Sequence, residues 1–314
     1  ADVVIVNSQK GVMDAMGVGY EALHACNPRV VMVSSQLLGS RGPASDWMGY
    51  GPSTRPIGGL SYLWSHPGSD VPAESSSIHP DHLAGRVGAV GALAALVGSE
   101  RTGVGCHVEV AQVEVVVGLL GDLFAQEDLR PGTVVPIGNT SAVAAPRGPY
   151  PCQGEEQYGA VDVQTDAQWS ALVEVMGSPE WATEPAYKSA EGRVAARAVI
   201  DGGLAAWTAP QEARAVMERC QARGVPAGVM HYPLTHLEDP HLKARGFLRP
   251  IEQPMVGSLT LEGPAFHTSR SAGPRIEASP RLGEHTREVC TGLLGIRSDE
   301  IDALVAKGVL EEPS

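Results

Sequence analysis

The chain has 314 residues, of which 43% are hydrophobic and 19% are charged, which is typical of an ordinary soluble globular protein. Its 36 acidic and 23 basic residues give a net charge of −13, which disfavours nucleic acid and anionic membranes as broad-surface partners. No stretch approaches the roughly 20 uninterrupted apolar residues of a membrane span and no signal peptide opens the chain, so we expect a cytoplasmic protein.

The first 34 residues predict a strand–helix–strand unit. Two apolar, β-branched runs, at 2–6 and 29–34, are typical of strands buried on both faces of a parallel sheet. Helical turns are predicted between them at 11–16 and 20–26. Because short buried strands that alternate with helices are typical of βαβ units, we expect the two strands to pair in parallel.

A loop-rich stretch is predicted next, at 39–59, because Gly-Pro and Gly-Gly pairs recur there. A short helix follows at 60–64. Residues 65–76 are rich in Pro, Gly and Ser and predict another loop.

The stretch from Ser77 to Glu114 is the most informative part of the chain. Apolar residues recur there at helical spacing and predict a helix with one apolar face: Leu83, Val87, Val90, Leu93, Ala94 and Leu96. Three glycines interrupt this helix, at 85, 88 and 91, and each costs about 1 kcal/mol against alanine. We therefore expect another element to pack closely against the glycines. Gly103 is expected to end the helix as a left-handed cap, before a strand at 107–110.

The remaining elements are predicted from the same signals. Helices are expected at 112–130, 166–176 (with Asp166 as N-cap), 191–207, 210–223 and 298–305, and strands at 158–163, 225–230 and 258–261. Residues 134–148 have the composition of a linker. We expect a large α/β domain at 1–130, a small α+β domain at 131–235, and a return to the large domain at 236–314.

Several sequence blocks resemble one enzyme family. They are ADVVIVNSQKGVMDAMGVGYEAL at 1–23, NPRVVMVSSQLLGSRGP at 27–43, PDHLAG, ALAAL, ERTGVG and VEVAQVE between 80 and 114, and LGEHTREV at 282–289. Together they resemble the class III coenzyme A transferases, the CaiB–BaiF group that includes formyl-CoA transferase. Because several matching blocks occur in the same order nearly from end to end, together they are stronger evidence for the resemblance than any single block.

The resemblance implies a fold and a quaternary structure. It implies a Rossmann-like parallel-sheet large domain with a small α+β domain, in an enzyme of the interlocked-homodimer type. The family's large domain begins with a βα portion that has no counterpart in this sequence, so the chain is expected to open in the middle of the fold.

Asp81 is the candidate catalytic residue. From the local pattern alone, an acid at the start of a helix is most simply a helix N-cap. The resemblance implies a different role, because class III transferases carry their nucleophile at this position. A carboxylate can attack an acyl-CoA thioester and carry coenzyme A as a covalent aspartyl thioester.

Two histidines flank Asp81 and raise the question of a metal site. A catalytic zinc needs three well-placed protein ligands, and the adjacent side chains of Asp81 and His82 point apart on a helix. We therefore expect no metal here. His82 is instead a candidate for a position beside the substrate.

Tyr50 separates two activities of the same fold. The resemblance places it where α-methylacyl-CoA racemases carry a histidine base. Racemisation needs groups that exchange a proton with both faces of an α-carbon, and a tyrosine with an ordinary pKa of about 10 is a poor base for that task. Tyr50 therefore favours a transferase, in which it would line the thioester pocket; an aromatic residue packed in a glycine-rich loop is the alternative interpretation.

The segment NSQKGVMDAM at 7–16 resembles the family's coenzyme A-contacting segment. The resemblance implies that Asn7 and Met16 contact the nucleotide. Ser8 replaces a usual aromatic residue, and Ala15 replaces an arginine of formyl-CoA transferase, so Lys10 becomes a candidate for the phosphate contact.

The stretch at 138–150 corresponds to a mobile glycine tract in formyl-CoA transferase but has no such tract. An oxalate-type substrate is therefore not favoured. Arg147, within this stretch, is a candidate for binding the carboxylate of an acceptor acid.

The leading hypothesis is an enzyme that transfers coenzyme A between an acyl-CoA and a carboxylic acid, without a metal. An acyl-CoA racemase or isomerase of the same fold is the first alternative. A second alternative is a non-catalytic subunit that needs a complementary chain. The sequence leaves the acyl group open.

Overall fold

The structure, a computed structural model, describes residues 1–71 and 78–313. Residues 72–77 and Ser314 lie outside the described residues, and with them the end of the loop predicted at 65–76 and the first residue of the stretch that begins at Ser77. The described chain divides into two compact units, Ala1–Gly228 and Val229–Ser314.

A three-stranded parallel sheet begins the first unit. Residues 1–130 contain β1 (Val3–Val6), α1 (Val12–Ala15), α2 (Tyr20–Cys26), β2 (Val31–Gln36), α3 (Gly51–Ile57), α4 (Leu60–Leu63), α5 (His79–Thr102), β3 (His107–Ala111), α6 (Gln112–Leu119) and α7 (Gly121–Leu129). The strand order is β1-β2-β3, and β2 pairs in parallel with both neighbours. The predicted βαβ unit and its parallel pairing are confirmed.

The long helix α5 packs across β2 and β3 through small residues. The core at this contact is formed by Val31, Val33 and Ala92, surrounded by Val3, Ala95, Leu96 and Val108. A Cβ added at Gly88 would lie 3.5 Å from Val33 Cγ1, and one added at Gly91 would lie 2.9 Å from Val108 Cγ1. The predicted close approach is therefore confirmed at these two glycines. It is wrong at Gly85, where an added Cβ would meet no described atom within 4 Å.

Four of the larger aliphatic residues of α5 are exposed rather than packed on this sheet, whereas Leu96 packs against the core. Val87, Val90, Leu93 and Val97 are 48%, 69%, 64% and 47% exposed. The predicted apolar face was therefore wrong as a description of the side buried in this chain. The physical reason is that Ala84, Gly88 and Ala92 let the helix approach the strands, which leaves the bulkier residues outside.

By length and composition alone, α5 would be able to cross a membrane, since it has 24 residues and a mean hydropathy of 1.3 in its most apolar window. One such helix is weak evidence for a membrane span. In this chain α5 starts with His79, Pro80 and Asp81 and packs on a sheet.

Three further predictions in this region were wrong. Ile5 is 77% exposed, so β1, an edge strand of the described sheet, is not buried on both faces. Part of the loop predicted at 39–59 is helix α3, which tolerates Pro52 in its first turn because no helical N–H is needed there. The single helix predicted at 112–130 is two helices, since Leu120 leaves helical geometry with ψ near 16°.

A second sheet lies in residues 131–229. This region contains β4 (Arg147–Pro151), β5 (Tyr158–Asp162), α8 (Asp166–Val175), α9 (Ala190–Ala195), α10 (Arg197–Thr208), α11 (Ala213–Gln221) and β6 (Ala227–Val229). The order is β4-β5-β6, with β4 antiparallel to β5. Thr165, not Asp166, caps α8, through a capping box with Gln168. The helix predicted at 191–207 is two helices, which meet at Ala196.

The second unit contains a β-hairpin and three helices among the described residues. They are α12 (Pro240–Ala244), β7 (Leu248–Gln253), β8 (Gly257–Glu262), α13 (Thr286–Gly292) and α14 (Ser298–Ala306). The predicted strand at 258–261 and helix at 298–305 are confirmed. Sequence reasoning missed β7, which pairs antiparallel with β8.

Candidate active site

A cavity of about 600 Å³ opens where the three parallel strands end. Its lining follows β1 with residues 7–10, continues β2 with residues 35–39, and follows β3 with Gln112; Ser45, residues 47–50 and Asp81 complete it. Ligands of open parallel sheets bind outside the carboxyl ends of the strands. The position of this cavity therefore fits a ligand site.

Asp81 is the third residue of α5. The N-cap position is occupied by Ile78 without a side-chain cap, so the interpretation of Asp81 as an N-cap was wrong. Instead, Asp81 Oδ1 accepts a hydrogen bond of 3.2 Å from Gln112 Nε2. The carboxylate is thus held from another element of the fold.

The second carboxylate oxygen of Asp81 is isolated. Oδ2 is buried and has no hydrogen-bond partner among the described residues. Gly51 lies directly against it, because a Cβ added at position 51 would overlap Oδ2. A buried polar atom without a partner is costly, and a catalytic or ligand-binding role is one explanation for it.

Two further polar atoms in the cavity lining share this property. Ser8 Oγ and Gln36 Oε1 are buried without a hydrogen-bond partner in the described part of the chain. In the β1–β2 register Val6 lies opposite Ser34, so Ser8 and Gln36 occupy equivalent places just beyond that ladder. The end of the sheet therefore presents unsatisfied polar groups from neighbouring strands.

Gln112 and Thr54 belong to the site, and sequence reasoning missed both. Thr54 Oγ1 donates a hydrogen bond of 3.2 Å to Gln112 Oε1, and Thr54 is fully buried. The available signal was position: Gln112 lies two residues after the end of the predicted strand at 107–110, and parallel sheets carry their functional residues just beyond the ends of their strands.

Tyr50 lines the same cavity as Asp81, and its contact with a CoA thioester stays a prediction. Its side chain is 84% exposed, so the alternative of a packed aromatic residue in the glycine-rich loop was wrong. Tyr50 stands immediately before α3 in an extended conformation. Trp47 and Met48 are exposed in the same lining segment.

Asn7 and Lys10 also line the cavity. Lys10 Nζ lies 3.2 Å from Ser45 Oγ and 3.7 Å from Asp46 Oδ1. Gln9 Nε2 donates a further hydrogen bond of 3.3 Å to the Asp46 carbonyl oxygen. The segment after β1 is therefore tied to the loop before α3 at the cavity's edge.

Three candidate residues are not among the cavity lining. Met16 is 69% exposed at the end of α1, and His82 is exposed on α5 beside Asp81. Arg147 lies on β4, where its Nε is 3.9 Å from Asp162 Oδ1. The structure does not bring these three side chains to the cavity, and their assigned roles stay predictions.

Within residues 1–71 and 78–313 no group of three or more His, Cys, Asp or Glu side chains is arranged to hold a metal ion. The ring of His79 instead packs edge-on against Trp64, with 5.8 Å between the ring centroids. His79 and Asp81 therefore have different neighbours despite their closeness in sequence.

Glu109, on β3, is hydrogen-bonded to Ser40 in the loop that follows β2. The Ser40 backbone N–H donates a bond of 2.9 Å to Glu109 Oε1, and the Ser40 hydroxyl donates to Oε2. Burial is the largest single effect and acts to raise the pKa of Glu109, but the two hydrogen bonds and the nearby His107 and Arg41 together lower it. The ionised Glu109 thus ties the loop after β2 to β3.

Comparisons with known proteins agree with this arrangement. The sequence profile of the family described as CoA-transferase family III matches residues 1–286. The chain is 36% identical to the "Probable CoA-transferase Rv1866" of Mycobacterium tuberculosis, across 100% of this chain and 40% of that protein. It is 30% identical to the succinyl-CoA--D-citramalate CoA-transferase of Chloroflexus aurantiacus, across 98% of this chain and 76% of that protein.

A solved structure shares the fold. It is a CAIB/BAIF family protein from Brucella suis, with a TM-score of 0.84 and 26% identity over 93% of this chain and 75% of that one. The chain spans less than half the length of the M. tuberculosis relative and about three quarters of the other two proteins. The family match includes every residue of the cavity, and the resemblance found in the sequence is confirmed: this chain belongs to CoA-transferase family III and has its mixed α/β fold with a parallel sheet.

Proposed function

We propose that this chain transfers coenzyme A from an acyl-CoA to a carboxylic acid through a covalent thioester on Asp81. The observation that carries the proposal is the state of the Asp81 carboxylate in the cavity at the strand ends. One of its oxygens is held by Gln112, and the other is buried without a hydrogen-bond partner in the described residues.

In the first half of the reaction, a carboxylate oxygen of Asp81 attacks the carbonyl carbon of the acyl-CoA thioester. The C–S bond breaks, coenzyme A leaves as a thiolate, and a mixed anhydride links the acyl group to Asp81. The thiolate then attacks the aspartyl carbonyl carbon and breaks the anhydride C–O bond. This releases the donor acid as a carboxylate and leaves coenzyme A bound to Asp81 as a thioester.

In the second half, the acceptor carboxylate attacks the aspartyl thioester and expels the thiolate. The thiolate attacks the acyl carbonyl of the new anhydride, and the acceptor leaves as its CoA ester while the Asp81 carboxylate is restored. No water, oxidant or metal enters the balance. The thioester bond energy is conserved because each step exchanges one acyl link for another.

The surrounding residues support this assignment. Asn7, Lys10 and Tyr50 line the cavity and are the groups proposed to contact coenzyme A. The unpartnered Ser8 Oγ and Gln36 Oε1 offer further sites for polar groups of a ligand. The nucleotide contact at Met16 and the substrate contacts at His82 and Arg147 belong to the proposal as predictions.

The acceptor class follows from the relatives. The C. aurantiacus protein is named for succinyl-CoA and D-citramalate, which are a CoA ester and a carboxylic acid. We extend to this chain only that pairing of substrate classes.

Mass spectrometry of the intact protein and its peptides tests the proposal. After incubation with a panel of acyl-CoAs, we expect a coenzyme A adduct on the peptide that contains Asp81, removable by hydroxylamine. Asp81→Ala is expected to abolish adduct and turnover while the protein stays folded. Asp122→Ala, which removes an acid from the first turn of α7, is the matched control. Retained turnover in Asp81→Ala would exclude the mechanism.

A second measurement separates the two alternatives. Exchange of the α-proton of an acyl-CoA in deuterated water, without any acceptor acid, would favour a racemase. Adduct formation that appears only after a complementary polypeptide is added would favour a subunit role.

We also propose that the chain forms a homodimer through the outer face of α5. The face consists of Val87, Val90, Leu93 and Val97, which are aliphatic and exposed. Contiguous exposed apolar surface on a helix is typical of a protein–protein contact. A second copy of the chain is the proposed occupant.

A further inference from the structure

The side chain of Gln112 connects Asp81 with a fully buried hydroxyl. Its Nε2 donates to Asp81 Oδ1 at 3.2 Å, and its Oε1 accepts from Thr54 Oγ1 at 3.2 Å. The three residues come from α5, α6 and α3, and they are separated by 31 and 58 positions in the sequence. This connection therefore exists only in the folded protein.

The orientation of the Gln112 amide follows from the chemistry of its neighbours. An ionised carboxylate only accepts hydrogen bonds, so the amide nitrogen has to face Asp81. The amide oxygen then faces Thr54, whose hydroxyl donates to it. Because Thr54 is fully buried and Gln112 is the first residue after β3, both partners of the Thr54–Gln112 hydrogen bond are anchored in the fold.

Asp81 is thus constrained at both oxygens. Gln112 holds Oδ1, and the Cα of Gly51 covers Oδ2. The hydrogen bond at Oδ1 and the close contact at Oδ2 together restrict rotation of the carboxylate. Fixed orientation matters because an error of about 1 Å in placing a reacting group can cost about a hundredfold in rate.

We infer that Gln112, oriented by Thr54, is a positioning residue that sets the plane of the Asp81 carboxylate for attack on the thioester. The inference rests on the proposed function of Asp81. In this role Gln112, the first residue of α6, acts through Asp81 and not through a contact with the substrate.

The rate of adduct formation on Asp81, measured by rapid-quench mass spectrometry with an acyl-CoA that labels the wild type, is the first readout. Gln112→Leu is expected to slow adduct formation by about tenfold to a hundredfold, while the affinity for the free thiol form of coenzyme A stays within a factor of about three. The matched control is Gln126→Leu on α7, where Gln126 Nε2 donates to Thr133 Oγ1 outside the cavity.

The pH profile is the second readout, since it reports whether residue 112 lies directly against the Asp81 carboxylate. Gln112→Glu puts a carboxylate against Asp81, and two adjacent carboxylates resist double ionisation. We expect the midpoint of adduct formation to rise by about one pH unit or more in Gln112→Glu, and not to move in Gln112→Leu. The other titratable groups on the elements around Asp81 are the same in all variants: Lys10, Tyr50, Arg55, His79, His82, Arg86, His107, Glu109 and Glu114.

Variants of Thr54 test the inference independently of Gln112. Thr54→Val removes the hydroxyl at nearly constant volume and is expected to slow adduct formation in the same direction as Gln112→Leu. Thr54→Ser keeps the hydroxyl and is expected to lose less than Thr54→Val. Equal rates in Thr54→Val and the wild type would overturn the inference, as would a loss of coenzyme A affinity equal to the loss of rate in Gln112→Leu.

Carbodiimide labelling of the free protein keeps the inference testable without turnover. The reagent consumes the protonated carboxyl group, so labelling of the Asp81 peptide should persist to higher pH in Gln112→Glu than in the wild type. Absence of any coenzyme A adduct in the wild type would refute the proposed function alone. An unchanged labelling profile in Gln112→Glu would refute the positioning role of Gln112.

Discussion

Gly51 lies so close to Asp81 that a Cβ added at position 51 would overlap the carboxylate oxygen Oδ2. The backbone at Gly51 does not have a positive φ, so the requirement for glycine is one of space rather than of conformation. The first residue of α3 thus lies directly against the carboxylate of the proposed nucleophile.

Replacing Gly51 by alanine should displace the Asp81 carboxylate. We expect Gly51→Ala to lower the rate of adduct formation by about a hundredfold, with an overpacking cost of about 1–3 kcal/mol in the free energy of unfolding. Adduct kinetics and urea denaturation measure the two effects. Gly118→Ala is the control, since a Cβ there meets no described atom within 4 Å; wild-type kinetics in Gly51→Ala would contradict the described contact.

The glycines of α5 should differ in stability effects although they share a helix. Gly91→Ala brings a Cβ to 2.9 Å from Val108 Cγ1 on a stiff, β-branched side chain. Gly85→Ala meets no described atom and should gain up to about 1 kcal/mol of helix propensity. We expect Gly91→Ala to be the less stable of the two by about 1 kcal/mol or more in urea denaturation. The reverse order would show that α5 sits differently on the sheet.

A charge on the outer face of α5 should weaken self-association. Leu93 is 64% exposed, so Leu93→Asp is expected to leave the monomer folded and to shift the mass measured by light scattering from dimer toward monomer. Met255→Asp, at a residue that is 94% exposed in the β7–β8 hairpin, is the control. If both variants keep the wild-type mass, α5 is not the dimer contact.

The Ser40–Glu109 contact predicts a pH-dependent stability difference. The pKa of Glu109 is lowered from its ordinary value of 4.5 in the folded protein. Its ionised form is therefore stabilising above pH 4.5, and this contribution is lost as the pH falls through the lowered folded pKa.

Ser40→Ala should accordingly reduce the free energy of unfolding near pH 7 by on the order of 1 kcal/mol, the contribution of one hydrogen bond. The difference from the wild type should shrink below the folded pKa of Glu109. Urea denaturation at pH 7 and in a series down to pH 3 checks this. A constant difference over that range would mean that the Ser40 hydroxyl contributes independently of the charge on Glu109.

The elements that sequence reasoning recovered have local signals. The apolar run at 30–33, which contains three valines, predicted β2 because β-branched residues pack well in a buried strand. Gly103, with φ near 76°, was predicted as the cap of α5 because glycine tolerates left-handed geometry. These choices depend on neighbours within a few residues.

The features that were missed depend on distant neighbours. Periodicity identified the large aliphatic residues of α5 but not which side of the helix faces the sheet. In the structure Val90 is exposed, and Gly88 lies on the side that contacts the sheet. Gln112, Thr54 and Gly51 form the surroundings of Asp81 only because three helices meet. The sequence around a polar residue at the start of a helix does not show which distant side chains that residue will contact.

The cavity is assembled where the strands stop, from segments such as 7–10, 35–39 and 47–50, while the aliphatic residues between sheet and helix lie elsewhere. The residues that form the core between sheet and helix are therefore different from the residues that line the cavity. Substitutions in the segments that line the cavity can therefore change what the cavity binds at little cost in the stability of the fold, which gives members of one fold a physical route to different ligands.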